Sequence, residues 1–225
     1  MSLLRGDPLI ELGRLQTILE ELAPPELGEG YDPPVYLRKS RGRFEKIGVC
    51  VDPTEYNIRS AAKQGVQLLI THHRWEGEAA DEIEKNDISL FQLHSAWNRA
   101  PDGITATLAR TLNLDNPRFE KDAVYGEVEE QTFKELIGCC QRVLEINIMP
   151  YVGDLNSKVR RAVVLSGPGF LPIYKEDWDC WIQEGYEVVL SAEIGRYAMG
   201  YLSSKGLKLV DLGHSAMARP GMRHL

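Results

Sequence analysis

Residues Lys46–His73 have the sequence KIGVCVDPTEYNIRSAAKQGVQLLITHH, and their pattern indicates the fold class. Lys46–Asp52 and Val66–Thr71 are short apolar runs, which are typical of strands buried on both faces. Between them, Pro53–Gln64 has the spacing of an amphipathic helix, and Gly65 supplies a residue suited to end it. A strand, a helix and a second strand in this order predict a βαβ unit.

The same alternation continues in both directions from this unit. Further strands are predicted at Ile88–Leu93, Val159–Ser166, Glu187–Ser191 and Leu207–Leu212, and further helices at Leu12–Leu22, Gly103–Leu112, Phe133–Leu144, Leu171–Gln183 and Ile194–Ser204. Residues 113–126 have no clear periodicity and are predicted to be a polar connector. The sequence therefore predicts an α/β fold of two lobes, 1–126 and 127–225, with largely parallel sheets flanked by helices.

Composition narrows the class of protein. The 225 residues include 33 Asp and Glu against 26 Lys and Arg, a formal charge of -7 that opposes binding along a nucleic-acid backbone. No apolar run approaches the roughly 18 residues of a membrane span, and Met1–Pro8 lacks the apolar core of a signal peptide. The four cysteines have no C-x-x-C spacing and are expected to be reduced thiols. We expect a cytoplasmic protein without membrane or nucleic-acid partners.

Four of the five histidines follow the ends of predicted strands: His72, His73, His94 and His214. Open α/β sheets place their ligand sites at the carboxyl edge of the strands, so these imidazoles can meet there. Imidazole is a common ligand of borderline divalent metals. Glu193 follows another strand and can add a carboxylate. The pattern predicts a metal site, while unrelated hydrogen-bonding roles for these histidines stay open.

These residues also carry a resemblance to a known family. Gly48–Thr54 (GVCVDPT), Ala61–His73 (AAKQGVQLLITHH) and Leu93–His94 resemble segments of the Nif-three-like, YbgI-type dinuclear-metal family. Ser191–Glu193 resembles the Thr-Gly-Glu turn of that family, and Leu212–His214 resembles its Gly-His motif. Members of this family are often named GTP cyclohydrolase I type 2 homologues.

The resemblance implies a two-lobed α/β subunit with a pair of divalent metal ions near the lobe interface. It also implies, for many members, a toroidal hexamer. By position, His72 and His73 match the tandem metal-binding histidines of the family, His94 matches the middle histidine and His214 the terminal one.

Two acids of the family pattern are replaced in this chain. Asn98 stands where the pattern has Asp, and Ala218 stands where it has Glu. Two cations held close together need anionic ligands between them, which neutral imidazoles do not provide. Asp102 and Glu193 are the candidate acids for compensation. We expect one or two ions per chain, of zinc, iron, manganese or a similar metal.

Two functions are consistent with this pattern. The first is a metal-dependent hydrolase of a small heterocyclic or nucleotide substrate, with the ion at His72, His73, His94 and His214 and with Glu193 as the catalytic acid or base. The second is a family member with a degenerate metal site that acts as a non-catalytic oligomeric binding or scaffold protein. The expected partners are a small-molecule ligand and copies of the chain in a homohexameric ring.

Overall fold

The computed structural model describes residues 9–30, 32–38, 41–75 and 77–225. The chain forms two compact units, the first ending at Ala100 and the second covering Pro101–His224. The division therefore precedes residues 101–126, which the sequence analysis assigned to the N-terminal lobe. The lobes 1–126 and 127–225 stay a prediction, and each compact unit is described here by itself.

The first unit is built on a four-stranded sheet in the order β2-β6-β5-β4. Strands β4, β5 and β6 run parallel, and β2 is antiparallel at one edge. Its elements are β1 (Ile10–Glu11), α1 (Leu12–Leu22), β2 (Val35–Arg38), β3 (Arg43–Phe44), β4 (Ile47–Cys50), α2 (Glu55–Lys63), β5 (Leu68–Thr71), α3 (Ala79–Lys85), β6 (Ser89–Gln92) and α4 (Ser95–Arg99). The predicted βαβ unit is thus β4-α2-β5.

Local sequence explains why this unit forms. Thr54 caps α2, because its hydroxyl accepts a hydrogen bond from the backbone N–H of Asn57 at 3.2 Å. Gly65, with a φ of +74°, lets the chain leave the helix in a left-handed conformation that a side chain would strain. Every residue of β5 and β6 is buried, which is why both strands read as continuous runs.

The second unit contains a six-stranded sheet in the order β7-β8-β10-β11-β12-β9. Strands β10, β11 and β12 are parallel, and the outer pairings are antiparallel. Its elements are α5 (Ile104–Thr111), β7 (Asp115–Glu120), β8 (Ala123–Thr132), α6 (Phe133–Leu144), β9 (Tyr151–Val152), β10 (Lys158–Leu165), α7 (Lys175–Gln183), β11 (Val188–Ser191), α8 (Arg196–Ser204), β12 (Lys208–Asp211) and α9 (His214–His224).

Apolar side chains cover both faces of this sheet. Along β10, Ala162 and Val164 belong to one core cluster with residues of α5, α6 and α9. Val163 and Leu165 belong to a second cluster with Trp178 and other residues of α7 and α8. Successive residues of a strand point to opposite faces, so one strand supplies both cores. The prediction of an α/β fold with parallel strands flanked by helices is confirmed.

The predicted connector at residues 113–126 is wrong. Strands β7 and β8 form an antiparallel hairpin there, with Lys121 at the turn in a left-handed conformation of φ 52°. Every residue of β7 is exposed, so the alternation of apolar and polar residues that marks a half-buried strand is absent. Helices α3, α4 and α9 were also not predicted, since the first two are short and Pro220 lies inside the third.

None of the helices in the described residues is long and apolar enough to cross a membrane.

Candidate metal centre

Three parallel strands of the first unit end side by side. In the sheet register, Cys50 of β4 lies opposite Thr71 of β5, and Thr71 lies opposite Gln92 of β6. The backbone N–H groups of His72 and His73 both donate to the carbonyl of Val51, at 3.1 and 3.0 Å. The tandem histidines after β5 are therefore held against the chain that leaves β4.

His94, two residues beyond β6, joins them. The ring centroids are 4.6 Å apart for His72 and His73, 4.6 Å for His72 and His94, and 5.5 Å for His73 and His94. One ligand nitrogen from each ring lies within 4.8 Å of the other two. The expectation that strand ends bring these three imidazoles together agrees with this geometry, and the histidine cluster could hold a metal ion.

Each ring of the histidine cluster has an oxygen acceptor at Nδ1. His73 donates to a carboxylate oxygen of Asp52 at 2.6 Å, and His94 donates to a carboxylate oxygen of Asp32 at 2.6 Å. His72 donates to the backbone carbonyl of Leu93 at 3.2 Å. Carbonyl and carboxylate oxygens accept only, so in the neutral form of each ring the proton sits on Nδ1 and the lone pair on Nε2. Metal-binding histidines have this arrangement of outer partners, so the cluster fits a borderline divalent ion.

Asp32 is almost fully buried, and it forms hydrogen bonds with Ser95 as well as with His94. Its carboxylate also accepts from the backbone N–H of Ser95 at 3.2 Å, and the Ser95 hydroxyl donates to the Asp32 carbonyl at 3.2 Å. Burial favours a raised pKa for Asp32, but the hydrogen bond of His94, the charge of this ring when it is protonated, and the hydrogen bonds from Ser95 together lower the pKa. Asp32 is therefore an anion that fixes the position of the His94 ring.

Asp52 plays the corresponding part for His73 in a more open setting. It lies between β4 and α2, where its backbone carbonyl accepts from Thr54 N at 2.9 Å and from Asn57 Nδ2 at 2.8 Å. These bonds fix the backbone from which the carboxylate reaches His73. In the sequence, Asp52 is part of the GVCVDPT motif and of the predicted first strand, and Asp32 carries no signal of its own.

Two buried side-chain oxygens beside the histidine cluster have no hydrogen-bond partner among the described residues. They are Oγ1 of Thr71, directly before His72, and Oδ1 of Asn98, four residues after His94. Buried polar atoms are nearly always satisfied, so such a pair marks a place where a ligand or water can bind. Asn98 provides a neutral oxygen at this position and no carboxylate.

His214 and Glu193 lie in the second unit and form a pair. Nδ1 of His214 donates to Oε1 of Glu193 at 2.6 Å. Asp211 fixes the backbone next to each member of this pair. Its carboxylate accepts hydrogen bonds from the N–H of Ile194, which follows Glu193, at 3.1 Å and from the N–H of Gly213, which precedes His214, at 2.9 Å. Glu193 has a left-handed φ of 66°, an uncommon conformation for a residue with a side chain. That His214 shares an ion with the histidine cluster stays a prediction, as does the catalytic role of Glu193.

The other positions considered in the sequence offer little to an ion. Asp102 is exposed and lies 3.4 Å from Arg110, with which it forms an ion pair. Ala218 is a buried residue of α9 and is only 2% exposed. A glutamate there would bring a carboxylate into a buried position, which is costly for an ionised group without a partner.

Known proteins resemble this chain in sequence and in fold. The sequence model of the family described as Duf34/NIF3 (NGG1p interacting factor 3) matches residues 10–225. A GTP cyclohydrolase 1 type 2 homolog of Clostridium perfringens is 24% identical over 229 residues, covering 91% of this chain and 86% of the relative. One from Methanothermobacter thermautotrophicus is 28% identical over 243 residues, covering 100% and 88%. A Bacillus cereus protein related to NIF3 has a TM-score of 0.84 at 14% identity, covering 96% and 91%. The predicted family resemblance is confirmed.

Proposed function

This chain belongs to the Duf34/NIF3 family, and on that premise we propose that it binds a divalent metal ion through His72, His73 and His94. One observation carries the proposal: every ring of the histidine cluster donates its Nδ1 proton to a fixed oxygen, and two of these oxygens are carboxylates. Three imidazoles prepared in this way present Nε2 toward an ion without further ordering. Zinc, iron(II) and similar borderline ions suit such nitrogen ligands.

We propose one tightly held ion per chain. The histidine cluster contains three imidazoles and no carboxylate. Two unit charges 4 Å apart interact by about 4 kcal/mol at an effective dielectric constant of about 20, so two dications at that distance repel by about 16 kcal/mol. Neutral nitrogens do not offset such a repulsion. Asn98 adds only an amide oxygen, and Ala218 adds none.

The finer proposal is metal-dependent hydrolysis of a small heterocyclic or nucleotide substrate. An ion bound by neutral ligands keeps its full charge and would supply Lewis-acid polarisation of a carbonyl or phosphoryl oxygen. Asp52 and Asp32 hold the rings of His73 and His94 in place during such a reaction. Glu193 is the proposed acid or base, since its carboxylate accepts the Nδ1 proton of His214 and is exposed enough to meet a substrate.

A second candidate is metal binding without hydrolysis, in a binding or scaffold protein. Two positions favour it. Asn98 and Ala218 replace the acids that the family pattern implies, and Ala218 is buried, so a carboxylate at this position would have to leave water. With this candidate the histidine cluster orders the first unit or presents the ion to a ligand.

We also keep the proposal of a homohexameric ring. Large apolar side chains on the second unit are exposed, among them Ile173, Tyr197 and Met199, and burial between copies would remove them from water. Light scattering at micromolar concentration measures the mass of the assembly. A monomer there would contradict the ring.

Metal content tests the main proposal. Protein purified without chelator or metal-affinity tag should contain close to one ion per chain by atomic emission. His73→Ala should lose most of this ion and keep the fold, because His73 is only half-buried. His224→Ala is the matched control, since this exposed histidine at the end of α9 should leave metal content unchanged. Equal metal content in His73→Ala and the natural protein would reject the proposed ligands.

Activity separates the two candidates. The metal-loaded protein and His73→Ala are compared on nucleotides and heterocyclic amides, and hydrolysis that depends on His73 supports the enzyme. Asn98→Asp restores one acid with little change of shape and should tighten metal binding. If only the Asn98→Asp protein hydrolyses a substrate, the non-catalytic candidate is correct for the natural chain.

A further inference from the structure

We infer that Arg74 forms a recognition site for the phosphate group of a ligand beside the histidine cluster. The inference rests on the proposed function for the neighbouring ion, but it concerns the ligand and the residue that orients it. Nothing in the sequence patterns discussed above singles out this arginine. It follows His73 directly, at the edge where β5 ends.

The guanidinium group is held by a buried glutamine. Nε of Arg74 donates to Oε1 of Gln92 at 3.0 Å. Gln92 is the last residue of β6 and is only 4% exposed. Its amide nitrogen faces the backbone carbonyl of His72 at 3.5 Å, so its oxygen is the atom turned to Arg74. A chain from His72 through Gln92 to Arg74 therefore links the guanidinium to the histidine cluster.

The hydrogen bond to Gln92 uses only Nε of Arg74 and leaves its two terminal nitrogens available to a ligand. With Nε bound to Gln92, the two terminal nitrogens form a planar fork that matches two oxygens of one phosphate. Among the described residues, no carboxylate forms an ion pair with Arg74. By contrast, most of the other described arginines of the first unit pair with acids; they are Arg38, Arg41, Arg43, Arg59 and Arg99.

The surrounding charges favour a phosphate over a singly charged carboxylate. The acids nearest to the histidine rings, Asp52 and Asp32, are each bound to a ring at 2.6 Å. These two carboxylates balance the charge of a bound dication, so the guanidinium of Arg74 leaves one positive charge at this edge without an ion-pair partner among the described carboxylates. A phosphate near neutral pH carries up to two negative charges, so it gains more from both groups than a carboxylate does. This points to phosphorylated ligands such as nucleotides.

The burial of Gln92 supports a role beyond filling space. A buried amide without partners is costly, and an apolar residue at a strand end would avoid that cost. Here both ends of the amide are used, one on His72 and one on Arg74. The glutamine therefore acts as a positioning residue for the guanidinium.

Phosphate binding to the zinc-loaded full chain tests the inference. Inorganic phosphate is titrated by calorimetry after zinc content has been measured on the same sample. Arg74→Gln should weaken phosphate binding at least tenfold while zinc per chain stays unchanged. Gln92→Leu should weaken it several-fold, because the fork is no longer held. Arg14→Gln removes an equal charge from an exposed position on α1 and should have no effect.

The outcomes separate the two proposals. If the natural protein holds zinc and the Arg74→Gln variant binds phosphate as tightly as the natural protein does, the phosphate site alone is overturned. Zinc-loaded natural protein that does not bind phosphate, or that binds acetate more tightly, also overturns it. If the natural protein binds no zinc, the proposed function is overturned. The phosphate site is then overturned as well if the zinc-free natural protein and the zinc-free Arg74→Gln variant bind phosphate equally.

Discussion

Removal of the Asp32 carboxylate should weaken metal binding more than removal of any other carboxylate beside the histidine cluster. In Asp32→Ala, the His94 ring loses the acceptor that fixes its tautomer and orientation at 2.6 Å. Outer partners of this kind contribute about 10- to 100-fold to metal affinity. At 1.36 kcal/mol for each factor of ten, the expected loss is about 1.4–2.7 kcal/mol of binding free energy.

The structure also predicts the order of effects. The Asp32 side chain is 10% exposed, whereas the Asp52 side chain is 36% exposed. Water screens the more exposed carboxylate, so Asp52→Ala should cost no more than about tenfold in affinity. Asp32→Asn keeps an acceptor oxygen and loses only the charge, so it should lie between Asp32→Ala and the natural protein.

Competition with a chromophoric chelator measures zinc affinity, and circular dichroism shows that each variant is folded. The second measurement is needed because Asp32→Ala also leaves the Ser95 N–H without its acceptor, which should lower the free energy of unfolding by about 1–3 kcal/mol. Asp154→Ala is the control: its exposed carboxylate accepts only from Asn156 N, at 3.0 Å, in a turn of the second unit. Unchanged zinc affinity in Asp32→Ala would refute the role of the carboxylate, and a larger loss in Asp52→Ala would refute the argument from burial.

Three further predictions concern the second unit. Asp211→Ala removes the acceptor of two backbone N–H groups, so hydrogen exchange at both amides should be at least tenfold faster. Unchanged protection would contradict the role of the Asp211 carboxylate in holding these two groups. Burial raises the pKa of Cys140 to about 12, so at pH 8 almost none of this thiol is ionised, and iodoacetamide should label the exposed Cys180 first; equal labelling by mass spectrometry would contradict this. Gly221→Val should lower the free energy of unfolding by about 1–3 kcal/mol, because a Cβ there lies 2.6 Å from a backbone atom of a neighbouring helix. Gly200→Ala places its Cβ in open space, so urea titrations should show an unchanged or higher free energy of unfolding.

The parts of the fold that sequence predicts are those where one physical signal dominates. β5 and β6 are buried on both faces, so their apolar runs mark them without ambiguity. The rule that parallel strands share a carboxyl edge then brings together His72, His73 and His94. The exposed strand β7 gives no such signal, and its existence depends on pairing with β8.

Asp32 shows why the rest of the site could not be predicted. It lies in a Pro- and Gly-rich connector without periodicity, 62 residues from the histidine that it holds. Only the folded chain brings the connector to the strand end. Asp52 was within reach of sequence reasoning, because it lies two residues after β4, the strand that pairs with β5. An acid near the end of one strand predicts a hydrogen-bond acceptor for a histidine at the end of the neighbouring parallel strand.

One arrangement recurs in both units and would prepare strand-end histidines to bind a metal ion. Asp32, Asp52 and Glu193 each lie 2.6 Å from Nδ1 of a histidine. An imidazole without such a partner must lose rotamer and tautomer freedom when an ion binds, and that ordering opposes binding. A carboxylate at Nδ1 imposes both choices during folding and makes the opposite nitrogen more basic. If these rings bind an ion, acids that do not touch it would raise the affinity, and the rings should keep the same orientation whether or not the ion is bound.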